Sequence, residues 1–393
     1  MNILKTLKKY EAKSMHGQLP VIWKNAKDSY IYDNKDKRYI DFTSGICVTN
    51  TGHSNKAIKE ALIKQISQDL LFSYTFPTEI RAKFIKKLIE ITPNFCRKVF
   101  LLSSGTEATE CACKLMRLYA HKCDFDKSII ISFYDSMHGR TMLAQALKGK
   151  ECSWVYTWDI EHLPFPDEKD SFDEMINFII QNGLNPKKIC GFMIESYQGW
   201  SARFYPNKYL KDLQKFAKKY NALLCFDEIQ GGFGRTGKLF AYQHYDNIEP
   251  DLICVGKGIS SALPLSGVLG RKEILDIVDI GQMSSTFSAN PLCCAVGLAN
   301  IQEIMKILPF VVKKGELLHK ELRKLKKEVN GKGLLASIIT DTTEEANNIC
   351  YKAMEKGLLL IKTDRNSVKI APPLTISEDL IIEGVNIIKG IIK

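Results

Sequence analysis

Lys257 closes the apolar run DLICVGKG, and Asp227 closes an earlier one, ALLCFDE. In an open α/β sheet the carboxyl ends of neighbouring parallel strands open onto one crevice. An amine and a carboxylate at such ends can therefore grip a ligand from two sides. A lysine that ends a buried strand and is followed by Gly258 is a candidate Schiff-base former, because partial desolvation favours its neutral, nucleophilic amine. A buried carboxylate beside it requires a cationic partner. A protonated pyridine nitrogen supplies one, and pyridoxal phosphate carries both the aldehyde and the pyridine. Strands also end in lysine or aspartate simply where the chain meets water, so the pair alone does not separate a site from two ordinary strand ends.

A place for a phosphate is offered by SSGTEATECACKLMR. Ser104 and Glu107 have the S-x-x-E spacing of a capping box, which predicts a helix starting at Gly105. The glycine lets the backbone approach an anion at the positive helix end. The amides of Gly105 and Thr106, with the Thr106 hydroxyl, form the expected cradle. Capping boxes also open many helices that bind nothing.

The elements that must position these groups follow from the apolar patterning. VIWKNAKDSYIYDNKDKRYIDFTSG alternates apolar and polar residues around Asn34, Lys35 and Asp36, predicting a small antiparallel sheet, and an amphipathic helix follows it. From Thr78 to Gly270 the runs KVFLLSS, SIIISFY, KKICGFMIES, ALLCFDE, DLICVGK and PLSGVLG alternate with helical patterns. That alternation predicts an α/β fold with a mostly parallel sheet covered by helices. Beyond Asn290 the pattern becomes a long helix, the strand LLASIIT, the helix TEEANNICYKAMEKG, a two-strand stretch LLLIKTDRNSVKIAP and a last helix from Ser377. This reads as a separate α+β lobe against which the N-terminal strands pack.

At 393 residues, 45% of them hydrophobic, the chain is long enough for two domains. The net charge of +11 comes mainly from lysines on amphipathic helices, as in KKGELLHKELRKLKKEV. No basic run is interleaved with stacking aromatics, so no nucleic-acid partner is expected. The twelve cysteines include no C-x-x-C and read as small core residues in a reducing compartment. The N-terminal residues lack an apolar signal core and no run approaches eighteen apolar residues, so no membrane partner and a cytoplasmic location are expected.

The ordered motifs SGTEA, HGRT, DEIQGGFGRTGKLFAYQHY, GKG, STFSANPLCCAVGLA and APPLTI strongly resemble the class III PLP-dependent aminotransferases of the ornithine, acetylornithine and 4-aminobutyrate type. The resemblance runs from Pro20 to Ile376. It implies fold type I, with a large domain around a seven-stranded sheet and a small α+β domain built from both chain ends. The matching divisions are 1–50, 51–290 and 291–393, the middle one binding the cofactor. It implies transamination by a ping-pong route between an amino acid or amine and a carbonyl acceptor. Lys257 matches the lysine that bonds the cofactor and shuttles the substrate proton. Asp227 matches the carboxylate that keeps the pyridine nitrogen protonated, and Gln230 the glutamine near the ring's phenolic oxygen. Ser104, Gly105 and Thr106 match the phosphate turn, and His138 lies in the cofactor-contacting HGRT. Thr286 matches a threonine that reaches the phosphate of a neighbouring subunit, which implies a homodimer.

The chain departs from the family pattern near the substrate. Met137 stands where an aromatic residue usually covers the ring, and a thioether covers a ring face less specifically. The E-P-x-Q-G-E stretch reads Glu195-Ser196-Tyr197-Gln198-Gly199-Trp200, so Trp200 replaces the glutamate that pairs with a substrate-binding arginine. That arginine's motif, R-F-x-P-P-L, appears as Lys369-Ile370-Ala371-Pro372-Pro373-Leu374, and a lysine lacks the bidentate grip of arginine on a carboxylate. Arg140 is the candidate for holding an acidic co-substrate such as glutamate or 2-oxoglutarate. Trp200 and Tyr205 suggest apolar or stacking surface. These altered positions leave an amino-acid racemase or epimerase, or a decarboxylating transaminase, as the alternative outcome. A nicotinamide dinucleotide site is disfavoured because the SSGTEA turn lacks G-x-G-x-x-G.

Overall fold

The computed structural model describes residues 2–149 and 159–392. Near the N-terminus β1 (Trp23–Lys27), β2 (Tyr30–Asp33) and β3 (Arg38–Asp41) pair antiparallel in sequence. The turn between β2 and β3 is fixed by Asp33, whose Oδ1 accepts from the amides of Lys35 and Lys37 at 2.8 and 2.9 Å.

The main sheet contains β4 (Lys98–Leu102), β5 (Ile129–Phe133), β6 (Ile160–Leu163), β7 (Ile189–Glu195), β8 (Leu223–Asp227), β9 (Leu252–Val255) and β10 (Ser266–Gly270). Their order is β4-β10-β9-β8-β7-β5-β6. The pairs from β9 through to β6 are parallel, whereas β10 runs antiparallel to both its neighbours. Strands β7, β8 and β9 are buried at every position, as strands covered on both faces must be. The Gly105–His121 helix packs against β7, β9 and β10, and the Asn207–Lys219 helix packs against β8 in a separate apolar cluster. All six apolar runs expected from Lys98 to Gly270 are strands; β6, which carries Glu161 and His162 at the sheet edge, was not expected.

The C-terminal part contributes β11 (Val329–Lys332), β12 (Leu335–Ile339), β13 (Leu358–Leu359), β14 (Ile361–Lys362) and β15 (Ser367–Ile370). A four-stranded sheet has the order β11-β12-β15-β14, while β13 leaves it and pairs parallel with β3. The stretch expected to hold two strands therefore holds three. Leu358, Leu359 and Ile361 are all buried, and switching sheets at Leu360 lets consecutive residues bury against different layers.

The Pro291–Leu322 helix begins at Asn290, whose Oδ1 accepts from Leu292 N at 2.9 Å, with proline at its first position. By length and composition it is apolar enough to cross a membrane, but here it packs against three other helices, Lys56–Ile66, Glu79–Ile91 and Glu378–Lys389. It ends before the expected KKGELLHKELRKLKKEV pattern does, because Leu325 turns into the core and Val329 already belongs to β11.

One side chain ties the chain ends to the main sheet. Arg235 is fully buried, and its Nη1 donates to the carbonyls of Leu334, at 3.0 Å, and Pro372. Its Nη2 donates to Ser44 Oγ at 3.1 Å and Asn50 Oδ1 at 2.7 Å. Arg235→Met should destabilise the fold by about 3–5 kcal/mol in denaturant unfolding, and Arg235→Lys should recover only part of this because an ammonium cannot span the same acceptors.

Candidate active site

The strand register assembles the acidic side of the site. Glu195 stands opposite Asp227 across β7 and β8, and Asp227 stands opposite Cys254 across β8 and β9. The chain leaves β9 through Gly256 into a short turn that begins at the half-buried Lys257. Lys257 has φ +42°, a conformation uncommon for a residue with a side chain. Asn300, buried in the long helix, holds that turn by donating to the carbonyls of Gly258 and Ile259 at 2.8 and 2.9 Å. Thr51 donates in turn to Asn300 Oδ1 at 3.0 Å.

Asp227 is 5% exposed, and its two oxygens are already oriented. Oδ1 accepts from the amide of Ile229 at 3.0 Å, and Oδ2 lies 2.8 Å from His138 Nδ1. His138 is fixed through its own carbonyl, which accepts from Thr109 Oγ1 at 2.8 Å. A carboxylate held this way in low dielectric is suited to face a further cation.

The helix start is built as expected. Ser104 Oγ accepts from Glu107 N while Glu107 Oε2 accepts from Ser104 N at 2.7 Å, completing the capping box. The amides of Gly105 and Thr106 are left as first-turn donors. A Cβ on Gly105 would sit 3.0 Å from Ile229 Cδ1. The turn is thus pressed against Ile229, two residues beyond the end of the Asp227 strand. Gly139 has φ +144°, and a Cβ there would fall 2.2 Å from Thr106 Oγ1. That hydroxyl lies 2.7 Å from Thr141 Oγ1.

A second group of buried ionisable residues stands beside this one. Glu195 Oε2 accepts from the amides of Met137 and Gly199, each at 3.2 Å. Burial pushes the Glu195 carboxyl up to about 7, with Asp227 adding to the rise and His138 and Lys369 opposing it. Lys369 is buried, and desolvation together with the nearby Lys257 charge lowers its pKa. Its Nζ donates to the Gly199 carbonyl and to Gln230 Oε1, the latter at 3.2 Å, and Tyr197 OH donates to the same Oε1 at 3.1 Å.

Among the sequence-expected residues, Lys257, Asp227, His138, Glu195, Gln230, Lys369, Met137, Ser104, Gly105 and Thr106 lie on segments that converge through these contacts. Arg140 is exposed, two residues beyond His138. Trp200 lies apart: the Arg365 guanidinium covers its ring at 5.3 Å, and it lines a separate cleft of about 340 Å³ with Tyr134, Asp135 and Phe165. Tyr205 is buried among Phe133, Phe165 and Tyr209 and serves the core. Thr286 is exposed beside Phe287. A larger cavity, about 990 Å³, is lined by Tyr134, His162, Met175 and Phe178 at the β6 edge and contains none of the expected site residues. Tyr197, Asn300 and Thr51 were missed. Asn300 interrupts the apolar run CCAVGLANI, which is the signal the sequence offers.

The donor set fits pyridoxal phosphate. It offers a capped helix start with free amides, a buried and pre-oriented carboxylate, and a half-buried amine on the adjoining turn.

Residues 11–392 match the family model for class III aminotransferases. The chain is 34% identical over 382 residues to the acetylornithine/succinyldiaminopimelate aminotransferase of Buchnera aphidicola subsp. Acyrthosiphon pisum, covering 94% of this chain and 91% of that one. The crystal structure of the acetylornithine aminotransferase from Elizabethkingia anophelis superposes with a TM-score of 0.85 at 30% identity, over 99% of this chain and 98% of that one. The ornithine aminotransferase from Toxoplasma gondii, whose structure reveals partial occupancy of PLP at its active site, gives a TM-score of 0.86 at 25% identity, over 99% and 94%. The chain belongs to the class III aminotransferases. It is a PLP-dependent enzyme of fold type I that moves an amino group from an amino donor to a carbonyl acceptor.

Glu228 is likewise raised to about 7 by burial. A carboxyl whose pKa rises on folding stays protonated in the folded chain while the unfolded chain ionises. As pH climbs from the ordinary value of 4.5 to about 7, folded stability is therefore progressively lost, and the loss is constant above that. Glu195→Gln removes one such group. In thermal unfolding of the apoprotein, the variant's midpoint relative to the unsubstituted chain should be higher at pH 8 than at pH 5.

Proposed function

We propose that Lys257 is the residue that holds the cofactor and moves the substrate proton, with Asp227 facing the ring nitrogen. The observation that carries this is the convergence of the β7, β8 and β9 ends, where Asp227 is pre-oriented by His138 and Ile229 N. Pyridoxal phosphate, when bound, supplies an electron-withdrawing ring that acidifies the carbon bearing the donor's nitrogen. Asp227 is oriented by two hydrogen bonds, one from Ile229 N and one with His138 Nδ1. Lys257 Nζ would take the proton from the donor carbon and return it, from a turn that Asn300 holds at Gly258 and Ile259. Ser104, Gly105 and Thr106 would hold the phosphate, and Met137, 40% exposed, would pack against the ring. Lys257→Ala should abolish turnover. Asp227→Asn should lower kcat by about 10³-fold or more while the protein still takes up cofactor, read by stopped-flow kinetics and cofactor content.

The relatives are named for acetylornithine and succinyldiaminopimelate. For this chain we propose an amino donor that meets Glu195 on one side of the site, with glutamate and 2-oxoglutarate as the co-substrate pair and Arg140 on their distal carboxylate. Trp200 stands where the family has its acidic partner, and its ring is covered by Arg365, so that position offers the donor no carboxylate. Arg140→Gln should raise KM for 2-oxoglutarate about 10–100-fold and leave KM for pyruvate, which has no distal carboxylate, unchanged.

The same proposal includes a homodimer, a small domain made from residues 1–50 and 291–393, and a cytoplasmic location. Dimerisation is supported by an exposed apolar surface around Leu71, Phe72, Phe76, Ile280 and Phe287, with Phe72 and Phe287 rings 5.6 Å apart and Thr286 adjoining. Phe287→Asp should shift the protein toward monomer in sedimentation velocity and weaken cofactor retention with it.

A further inference from the structure

Gln230 presents a primary amide to the site, and such an amide can face either way. Its oxygen and nitrogen have the same shape but opposite hydrogen-bonding character, so the orientation that reaches a ligand is set by whatever grips the other end. In this chain the grip is chemically unambiguous. Lys369 Nζ lies 3.2 Å from one terminal atom of Gln230 and also donates to the Gly199 carbonyl. A lysine ammonium carries three donors and no acceptor, and Gly199 O can only accept. The Gln230 atom beside it must therefore be the oxygen. Tyr197 OH, 3.1 Å from that same atom, could serve either an amide oxygen or an amide nitrogen, because a phenol both donates and accepts. Tyr197 thus holds the amide in place without choosing its orientation. Lys369 makes the choice.

With Oε1 taken by two donors, Nε2 is the free end. It has no hydrogen-bond partner among the described residues and is available as a donor to an acceptor in the site. Gln230 lies three residues after Asp227, on the turn that also carries Ile229 against the phosphate-binding glycine. We propose that Lys369 is a positioning residue that locks the Gln230 amide with its nitrogen turned toward the ring oxygen of the cofactor. This rests on the assignment of pyridoxal phosphate to the site. It gives the lysine a task internal to the protein in place of a grip on the substrate: two of its donor directions are spent on Gly199 and Gln230.

The test uses the cofactor-loaded enzyme and follows the pH midpoint of its visible absorption, which responds to hydrogen bonding at the ring oxygen. Lys369→Met should move that midpoint up by about one pH unit, the size of one donor lost from a charged acceptor. Gln230→Leu should produce the same shift, and the double variant no more than either single one. Lys369→Arg, which can still donate to Oε1, should stay near the unsubstituted enzyme. Equal shifts that add in the double variant would mean that the lysine acts by charge alone, which overturns the inference. So would a shift in Lys369→Arg as large as in Lys369→Met, or an unmoved midpoint in Lys369→Met accompanied by a raised KM for the amino donor. Absence of any visible band in the unsubstituted enzyme would instead sink the cofactor assignment. Thermal unfolding and cofactor content of each variant separate these outcomes from loss of folding.

Discussion

Arg235 places a full positive charge in the interior with no carboxylate among its hydrogen-bond partners, and it reaches segments that are far apart in the chain. Its partners are two carbonyls, a hydroxyl and an amide oxygen. Desolvation works against the guanidinium and lowers its pKa, so the planar fork must be matched on several sides at once to remain charged. That demand fixes Ser44 and Asn50 from the N-terminal part and Leu334 and Pro372 from the C-terminal part around one residue of the main-sheet connection. Asn50 also donates to the Phe233 carbonyl at 2.9 Å, so the two residues grip each other's segments reciprocally. The small sheets are thereby held in fixed relation to the strand ends that carry Asp227 and Lys257.

This clamp also accounts for a stretch of backbone that is unfavourable by itself. Ser44, Gly45, Ile46 and Cys47 all have positive φ, between +49° and +65°, forming a left-handed turn. For a branched residue such as Ile46 that conformation costs roughly 1–2 kcal/mol. The turn persists because its ends are tied: Ser44 accepts from Arg235 and donates to the Ala371 carbonyl at 2.6 Å, and Cys47 is buried against the Tyr197 cluster. This turn and Lys257 both lie on segments that border the site, where the surrounding packing over-determines the backbone.

How far the molecule could be read from its sequence depends on whether the informative contact is local. The capping box at Ser104 and Glu107 is a spacing of three residues, and the helix starts where that spacing says. Strands β7, β8 and β9 are continuous apolar runs because both their faces are covered, so they were visible. Strands β6 and β11 lie at sheet edges and carry Glu161, His162, Asn330 and Gly331, which erases the pattern. The substitution of lysine for arginine at 369 was visible as a loss of bidentate reach. What the lysine does with its protons was not, because Gly199 and Gln230 arrive from different strand ends. The same holds for His138 and Asp227, whose 2.8 Å contact joins segments brought together only by the sheet. Trp200 was expected to shape the substrate pocket, and the structure turns it toward Arg365, a contact that no local spacing encodes.

Strand β10 is the one antiparallel member of the main sheet, and it directly follows the Lys257 turn. The lysine therefore sits on a short link between two hydrogen-bonded neighbours, β9 and β10, whereas Asp227 reaches β9 only after the longer connection from 228 to 251. In a folding chain, closing a short link between adjacent antiparallel strands sacrifices less entropy than closing a crossover. The amine lies on the shorter connection, 256–265, and the carboxylate reaches β9 across the longer one, 228–251, so the two reactive groups are brought together by the pairing of β8 with β9.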